Sequence, residues 1–167
     1  MEELIRLLPS PRKPVGLIGF SQAGWIIPLA AGANPGVKFL VLRSGPAVTT
    51  REQMRFQEFT QQKSDFWKHH SEAQARDRIR IGPDRFVFAD NDPRDSLRLV
   101  SVPALWLFGG RDANIPVSLS VERLKPFAAR GKPFEYRLFP ESAHRLNEHD
   151  ALPVMIKWIT QRVATSL

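Results

Sequence analysis

Four short apolar segments alternate with segments of helical character, and this order constrains the fold more than any other feature of the sequence. The apolar segments are Val15–Phe20, Lys38–Leu42, Val102–Phe108 and Phe134–Phe139. Their length and nearly continuous apolar composition are typical of strands that are buried on both faces of a sheet. Strands separated by helices usually pair in parallel through right-handed crossovers. The sequence therefore predicts an α/β fold of about four parallel strands with flanking helices.

The segments around these strands have the apolar spacing of helices. Between the second and third strands, residues 49–81 predict one or two polar amphipathic helices, and residues 82–93 have the composition of a loop. We therefore divide a single domain into a core, residues 1–46 and 97–167, and a small helical cap insertion, residues 47–96. The other predicted helices are Met1–Leu8, Gln22–Ala33 (with a bend or a short first segment at Pro28), Val117–Arg130 and Asp150–Ala164.

Composition and charge exclude several classes of protein. With 43% apolar and 25% charged residues the chain can form a core, and with no cysteine it has neither disulfides nor thiolate chemistry. The formal charge of +7 is spread along the sequence without a basic stripe or a nucleic-acid-binding module, so we expect no nucleic-acid partner. No apolar stretch approaches the roughly 18 residues of a membrane span, and the amino-terminal residues are too charged for a secretory signal. We therefore expect a cytoplasmic protein without a membrane partner.

The segment Gly19–Gly24 joins the first predicted strand to the helix that follows it, and it contains a candidate nucleophile. A serine between a strand and a helix, with small residues two positions away on each side, predicts a nucleophile elbow at Ser21. The turn is so tight that Gly19 and Ala23 must be small, although Ala23 stands where the motif usually has glycine. The backbone N–H of Gln22, at the helix N-terminus, would donate to a developing oxyanion.

A serine hydroxyl needs a base that accepts its proton, and the base needs a carboxylate that orients it. Asp112 directly follows the third predicted strand, and His144 follows the fourth. The carboxyl ends of parallel strands meet at one edge of the sheet, where α/β proteins place their sites. The sequence therefore predicts a catalytic triad of Ser21, Asp112 and His144. The competing carboxylates precede the third strand and fall in the insertion: Asp84, Asp90, Asp92 and Asp95.

These motifs resemble the α/β-hydrolase superfamily, in particular its prolyl-oligopeptidase and dienelactone-hydrolase-like esterase branch. The resemblance implies that Ser21 is the nucleophile, Asp112 the acid and His144 the general base, with no cofactor and no metal. It covers most of the chain except residues 50–95, which stand where the family inserts a helical cap. The matching segments are Gly19–Trp25, Phe39–Gly45, Leu107–Asp112 and Phe139–His144.

The chain departs from the family's pattern before its first strand. The family's sheet has more strands than the four predicted here, and its nucleophile strand is central, whereas only 14 residues precede Val15–Phe20. We therefore expect the loop that usually donates the second oxyanion N–H to be missing, and losing one such donor costs on the order of 100- to 1,000-fold in turnover. The nucleophile strand would also have an exposed edge. We expect a homodimer or another self-association to cover this edge, or else the Met1–Leu8 helix. Truncation of a longer hydrolase is a third possibility.

These observations predict a serine hydrolase, a carboxylesterase that cleaves small, short-chain acyl esters through an acyl-enzyme. Its partner would be a small-molecule ester substrate. Two alternatives remain open. The same triad could serve a peptidase or a thioesterase, or the chain could be a catalytically weak hydrolase remnant that serves as an interaction module.

Other features of the sequence fit structural roles. His69 and His70 are adjacent on a predicted helix and point about 100° apart, so they cannot chelate one metal and we expect them to be exposed. The spacing from His144 to His149 is one residue too long for the inverted zincin motif. Four aromatic residues of the insertion could line an acyl pocket or anchor the insertion to the core: Phe56, Phe59, Phe66 and Trp67.

Overall fold

A computed structural model describes residues 14–164, which form a four-stranded parallel sheet with helices on both faces. The predicted helix Met1–Leu8 lies outside the described residues. In chain order the elements are β1 Val15–Phe20, α1 Ala23–Gly32, β2 Val37–Arg43, α2 Thr50–Thr60, α3 Phe66–His69, α4 Glu72–Ile81, α5 Pro93–Leu99, β3 Ala104–Gly109, α6 Val117–Ala129, β4 Phe134–Phe139 and α7 Glu148–Ala164.

The strands lie in the order in which they occur in the sequence, β1-β2-β3-β4, and all pairs are parallel. The register places Phe20 opposite Arg43 and Gly109 opposite Phe139, so the last residues of neighbouring strands lie side by side. Consequently the loops that follow β1, β2, β3 and β4 all leave from the same edge of the sheet.

Two hydrophobic clusters cover the two faces of the sheet. On one face, α1, α5 and α6 pack against the sheet through Ile27, Leu97 and Leu124. On the other face, α7 contributes Ala151 and Trp158. Burial of each large apolar side chain contributes about 1.5–3 kcal/mol, so these two clusters supply the main stabilisation of the core. The central strands β2 and β3 are almost wholly buried because they are covered on both sides.

The insertion between β2 and β3 has its own small core. Helices α2 and α4 each begin with a capping box, formed by Thr49 with Glu52 and by Ser71 with Gln74. Their apolar side chains pack together and onto α6 through a third cluster, composed of Val48, Phe56, Ala75, Ile79 and Leu119. The insertion is therefore fixed to α6.

The predicted fold class of parallel strands and flanking helices is confirmed, and β1 and β4 have the predicted bounds. Residues 49–81 form three helices where we expected one or two, and α1 continues through Pro28 without a shorter first segment. Helix α5 was not predicted. Its start signal is Asp92, which accepts a hydrogen bond from the Arg94 N–H and is followed by proline at the first helical position. Within residues 14–164, no helix has the length and apolarity needed to cross a bilayer.

Candidate active site

The turn between β1 and α1 holds Ser21 in a left-handed backbone conformation, with φ of 55°. Its N–H donates to the Arg43 carbonyl at 2.9 Å and its carbonyl accepts from the Gly24 N–H at 2.9 Å, so both neighbouring elements fix the turn. A Cβ atom added at Gly19 would lie 2.4 Å from the Cβ of Ala23. The expectation that position 19 must be small is therefore confirmed, and the strained turn has the geometry of a nucleophile elbow.

The three residues that the sequence predicted as a triad meet at the carboxyl edge of the sheet. The Nε2 atom of His144 lies 3.1 Å from the Oγ of Ser21, and its Nδ1 lies 2.8 Å from the Oδ2 of Asp112. In the tautomer that satisfies both contacts, Nδ1–H donates to the carboxylate and Nε2 accepts the serine O–H. These distances match those of a serine, base and acid arranged for proton transfer.

The side chain of Asp112 is fully buried, while that of His144 is 14% exposed. The Oδ1 atom of Asp112 accepts from the backbone N–H groups of Asn114 and Ile115, at 2.7 and 3.0 Å. With the imidazole contact on Oδ2, the buried carboxylate receives three hydrogen bonds, which offset the cost of removing its charge from water. Both carboxylate oxygens therefore accept hydrogen bonds, and only Oδ2 contacts the imidazole.

The loop that carries His144 packs directly on the loop that carries the acid. Arg111 N–H donates to the Ser142 carbonyl at 2.9 Å, and Gly110 N–H donates to the Phe139 carbonyl at 2.8 Å. A Cβ atom at Gly109 would lie 2.4 Å from the Ser142 carbonyl oxygen, so only glycine permits this approach. The acid and the base are therefore positioned together as one hydrogen-bonded unit.

Ser44, directly after β2, also holds the histidine loop, a role that was not predicted from the sequence. Its Oγ donates to the carbonyl of His144 at 2.7 Å, and the residue is fully buried with φ of 46°. The only signal in the sequence was its place before Gly45 and Pro46 at the end of an apolar strand. Since a serine after a strand is common, that signal does not separate this contact from an ordinary turn.

Gln22 is the N-cap residue of α1, and its backbone N–H lies beside the candidate nucleophile. Among the described residues this N–H donates to no acceptor, so it is open to a developing oxyanion. The ring of Phe20 packs on the imidazole of His144 with centroids 4.8 Å apart, and Phe20 itself is 43% exposed. Phe20 therefore places a partly exposed apolar ring beside the imidazole.

The other titratable residues considered in the sequence have structural partners. Asp84 pairs with Arg51, Asp95 pairs with Arg98, and Asp90 accepts from the Thr50 hydroxyl at 2.9 Å. His69 is exposed as expected, but His70 is partly buried because its ring stacks on Phe66 at 4.4 Å. Of the four aromatic residues of the insertion, Phe56 and Phe66 are buried and therefore pack the insertion together. None of these carboxylates and imidazoles belongs to the Ser21–His144–Asp112 constellation.

No family model matches the chain. Among curated proteins, acylamino-acid-releasing enzyme 2 of Oryza sativa subsp. japonica is 28% identical over 80 residues, which is 48% of this chain and 10% of that enzyme.

Several solved structures share the fold. An acylaminoacyl peptidase of Pyrococcus horikoshii is 17% identical with a TM-score of 0.65, and the match covers 97% of this chain and 26% of that one. An esterase of Pyrococcus furiosus is 14% identical with a TM-score of 0.61, covering 98% and 58% of the two chains. A Klebsiella pneumoniae subsp. pneumoniae protein described as a dienelactone hydrolase is 22% identical with a TM-score of 0.56, covering 87% and 51%.

These structures are α/β-hydrolases, and they confirm that the chain has the α/β-hydrolase fold that its motifs resemble. The chain spans about a tenth of the curated relative and between about a quarter and three fifths of the three solved structures.

Proposed function

We propose that the chain is a serine hydrolase that cleaves small acyl esters, with Ser21 as nucleophile, His144 as general base and Asp112 as the orienting acid. The observation that carries the proposal is the continuous contact from Asp112 Oδ2 through the imidazole to Ser21 Oγ, at 2.8 and 3.1 Å. The strained conformation of Ser21 and the burial of the Asp112 side chain support the same assignment.

In the first step Ser21 Oγ attacks the acyl carbon, while Nε2 of His144 accepts the hydroxyl proton. The carbonyl π electrons move to oxygen, and the Gln22 N–H donates to the oxyanion. The tetrahedral intermediate then collapses, the bond to the leaving alcohol breaks, and the imidazolium returns its proton to that alcohol. Water attacks the acyl-enzyme in the same manner, which releases the acid and restores the Ser21 hydroxyl.

Esters fit this site better than amides because the described residues provide one oxyanion donor at the elbow. A site that lacks one donor loses on the order of 100- to 1,000-fold in turnover, and alkoxide leaving groups tolerate such a loss better than amines do. The second candidate is peptide or thioester cleavage by the same three residues. The similarity to acylaminoacyl peptidase favours this candidate, and a panel of matched esters, thioesters and anilides of one acyl group separates the two.

The direct test is labelling with a fluorophosphonate, which reacts with an activated serine. We expect the wild type to be labelled, Ser21→Ala to be unlabelled, and Ser101→Ala to be labelled like the wild type because Ser101 is exposed before β3. Failure of the folded wild type to react would contradict the proposed function. That outcome would favour the alternative of a hydrolase remnant that serves as an interaction module.

The free edge of β1 supports a proposal about the partner. The Ser21 N–H points toward β2, and successive residues of a parallel strand alternate in the side to which they point their backbone groups. The N–H and C=O groups of Gly16, Ile18 and Phe20 therefore face away from β2, and no strand of residues 14–164 pairs with them. The edge has no charge and no proline, the usual protection against strand pairing.

We propose that a second copy of the chain pairs with this edge in an antiparallel arrangement centred on Ile18. In that register Ile18 faces the partner's Ile18, and all three outward-facing residues of each strand form hydrogen bonds. Gly16 lies opposite the partner's Phe20, so each Phe20 side chain has a glycine across from it. The pairing is the same in both directions, as a two-fold dimer requires.

Light scattering at low micromolar concentration tests this pairing. We expect a dimer for the wild type and a monomer for Ile18→Lys, which places a charge in the centre of the paired edge. Ile156→Lys is the matched control because Ile18 and Ile156 are both 53% exposed and Ile156 lies on α7. A monomeric wild type, or a dimer that survives Ile18→Lys, would refute the arrangement.

A further inference from the structure

The loop that carries the candidate acid receives hydrogen bonds from the insertion at three successive carbonyl groups. We define the acid loop as residues 112–115. The indole Nε1–H of Trp67 donates to the Asp112 carbonyl at 2.9 Å. The Thr60 hydroxyl donates to the carbonyl of residue 113 at 2.6 Å, and the Gln57 amide donates to the carbonyl of residue 114 at 3.0 Å. These donors come from α2 and α3, which are more than 40 residues away along the chain.

The same loop sets the direction of the Asp112 carboxylate. The backbone N–H groups of Asn114 and Ile115 both donate to its Oδ1, which leaves Oδ2 directed at His144. The peptide groups of the acid loop carry both the carbonyls that accept hydrogen bonds from the insertion and the N–H groups that bind the carboxylate. A rotation of the loop would therefore turn the carboxylate. The contacts from the insertion therefore act on the carboxylate through the backbone.

The donors are themselves held in place. Thr60 is 1% exposed, and the ring of Trp67 packs on Phe56 and Phe66 with centroids 6.1 and 4.9 Å apart. The Asn114 side chain adds a fourth contact, because its Nδ2 donates to the Gln62 side chain at 2.7 Å. The insertion is packed on α6 through its own apolar cluster, so its donors can hold the acid loop in a fixed position.

From these contacts we infer that the insertion is a brace that positions Asp112, with Thr60, Trp67 and Gln57 as positioning residues. Their role is to keep the carboxylate within hydrogen-bond distance of the imidazole as the histidine gains and returns its proton. The inference rests on the proposed function, since it assigns part of the turnover to residues that touch neither substrate nor nucleophile. It differs from the expected role of a cap, which is to cover the substrate.

Thr60 permits the cleanest test, because valine removes the hydroxyl at nearly constant shape and serine keeps it. We expect Thr60→Val to lower kcat for a short activated ester by about 10- to 100-fold with little change in KM, since displacing a reacting group by about 1 Å costs on the order of 100-fold. Thr60→Ser should remain close to the wild type. Thr50→Val is the matched control, because it removes a hydroxyl bond to Asp90 from the other end of α2.

Trp67→Phe tests a second contact of the brace, because it keeps an aromatic ring and removes the indole donor. We expect a similar fall in kcat and faster hydrogen exchange at the N–H groups of Asn114 and Ile115, with exchange in β3 unchanged. Wild-type kcat in both Thr60→Val and Trp67→Phe would overturn the brace. So would unchanged exchange at the two N–H groups.

The two hypotheses fail in different ways. If the wild type neither reacts with a fluorophosphonate nor cleaves esters, the proposed function fails, and the exchange measurement alone then decides whether the insertion holds the acid loop. If the wild type is active while the variants match it at equal thermal stability, the brace fails and the proposed function stands.

Discussion

The segment that carries Ser21 has fewer stabilising contacts than the two loops that carry Asp112 and His144. Ser21 follows an edge strand that pairs on one side only within residues 14–164, and nearby Ile18 and Phe20 are 53% and 43% exposed. Asp112 and His144 instead follow β3 and β4, and their loops are hydrogen-bonded to each other, to Ser44 and to the insertion. Within residues 14–164, the loops of Asp112 and His144 are therefore hydrogen-bonded on several sides, whereas the strand before Ser21 is paired on one side.

The difference shows which part of the site depends on a further contact. A buried carboxylate with unmet hydrogen bonds would cost several kcal/mol, so the acid side must be completed for the chain to fold. An open strand edge exposes backbone groups to water at much smaller cost, and folding tolerates it. The proposed pairing of two copies would therefore act on the elbow and leave the acid and base unchanged. The predictions below test the two sides in turn.

The largest effect is expected when a reacting group is removed from either side. Ser21→Ala, next to the edge strand β1, and His144→Ala, in the loop bonded to the acid loop, should each lower ester hydrolysis toward the uncatalysed rate. The loss should reach up to about 10⁶-fold. His149→Ala is the control for the second change, since His149 is exposed at the start of α7. Hydrolysis well above background in either triad variant would remove that residue from the mechanism.

A smaller loss is expected when the acid keeps its shape and loses its charge. Asp112→Asn should cost up to about 10⁴-fold in kcat, because an amide favours the wrong imidazole tautomer. Asp65→Asn, at a carboxylate whose side chain is 56% exposed, should not change kcat. Steady-state kinetics on purified variants decide the point, and equal kcat values for the two would contradict the role given to Asp112.

The hydrogen bond from Ser44 to the His144 carbonyl predicts a more moderate effect on kcat. Ser44→Ala removes the hydroxyl and keeps a Cβ atom at the positive φ, whereas Ser44→Gly removes the hydroxyl and also relieves this backbone conformation. Both should lower kcat by roughly 10-fold, since a histidine loop that loses a buried contact shifts by a fraction of an ångström. The glycine variant should have a thermal midpoint at least as high as that of the alanine variant. If glycine restored full activity, backbone conformation and not the hydrogen bond would position His144.

The smallest effect concerns the stability of the fold at low pH, and it involves Asp92 near the end of the insertion. Burial raises the pKa of Asp92, but hydrogen bonds from the Arg94 side chain and N–H outweigh burial and hold this pKa below its ordinary value. A carboxylate with a lowered folded pKa stabilises the fold at neutral pH, and this stabilisation is lost as the pH falls below about 4.

Asp92→Asn should therefore unfold at a slightly lower temperature than the wild type at pH 7. The difference in unfolding temperature should narrow as the pH falls below about 4 toward about 3, because the stabilisation from the carboxylate is progressively lost. The midpoints of thermal unfolding of both proteins at pH 7 and at about pH 3 measure this difference. A gap that is constant over this range would show that the charge of Asp92 contributes nothing.

Much of the architecture could be predicted because it depends on local patterns. The apolar runs of β1 and β4 have the predicted bounds, since strand length and turn residues are encoded nearby in the sequence. Helix α5 was missed because seven residues give too few turns for periodicity, and its Asp92-Pro93 start also has loop composition. His70 is partly buried because of a stacking contact with Phe66 that forms only when the insertion packs.

Ser21, Asp112 and His144 follow the first, third and fourth strands, and this was enough for the sequence by itself to place the three residues at one edge of a parallel sheet. Parallel topology converts sequence order into spatial proximity, so no side-chain detail was needed. Only the tertiary structure decided what holds them there. The contacts of Thr60, Trp67 and Ser44 join residues 45 to 100 positions apart, and they depend on how α2 and β2 pack rather than on any local pattern.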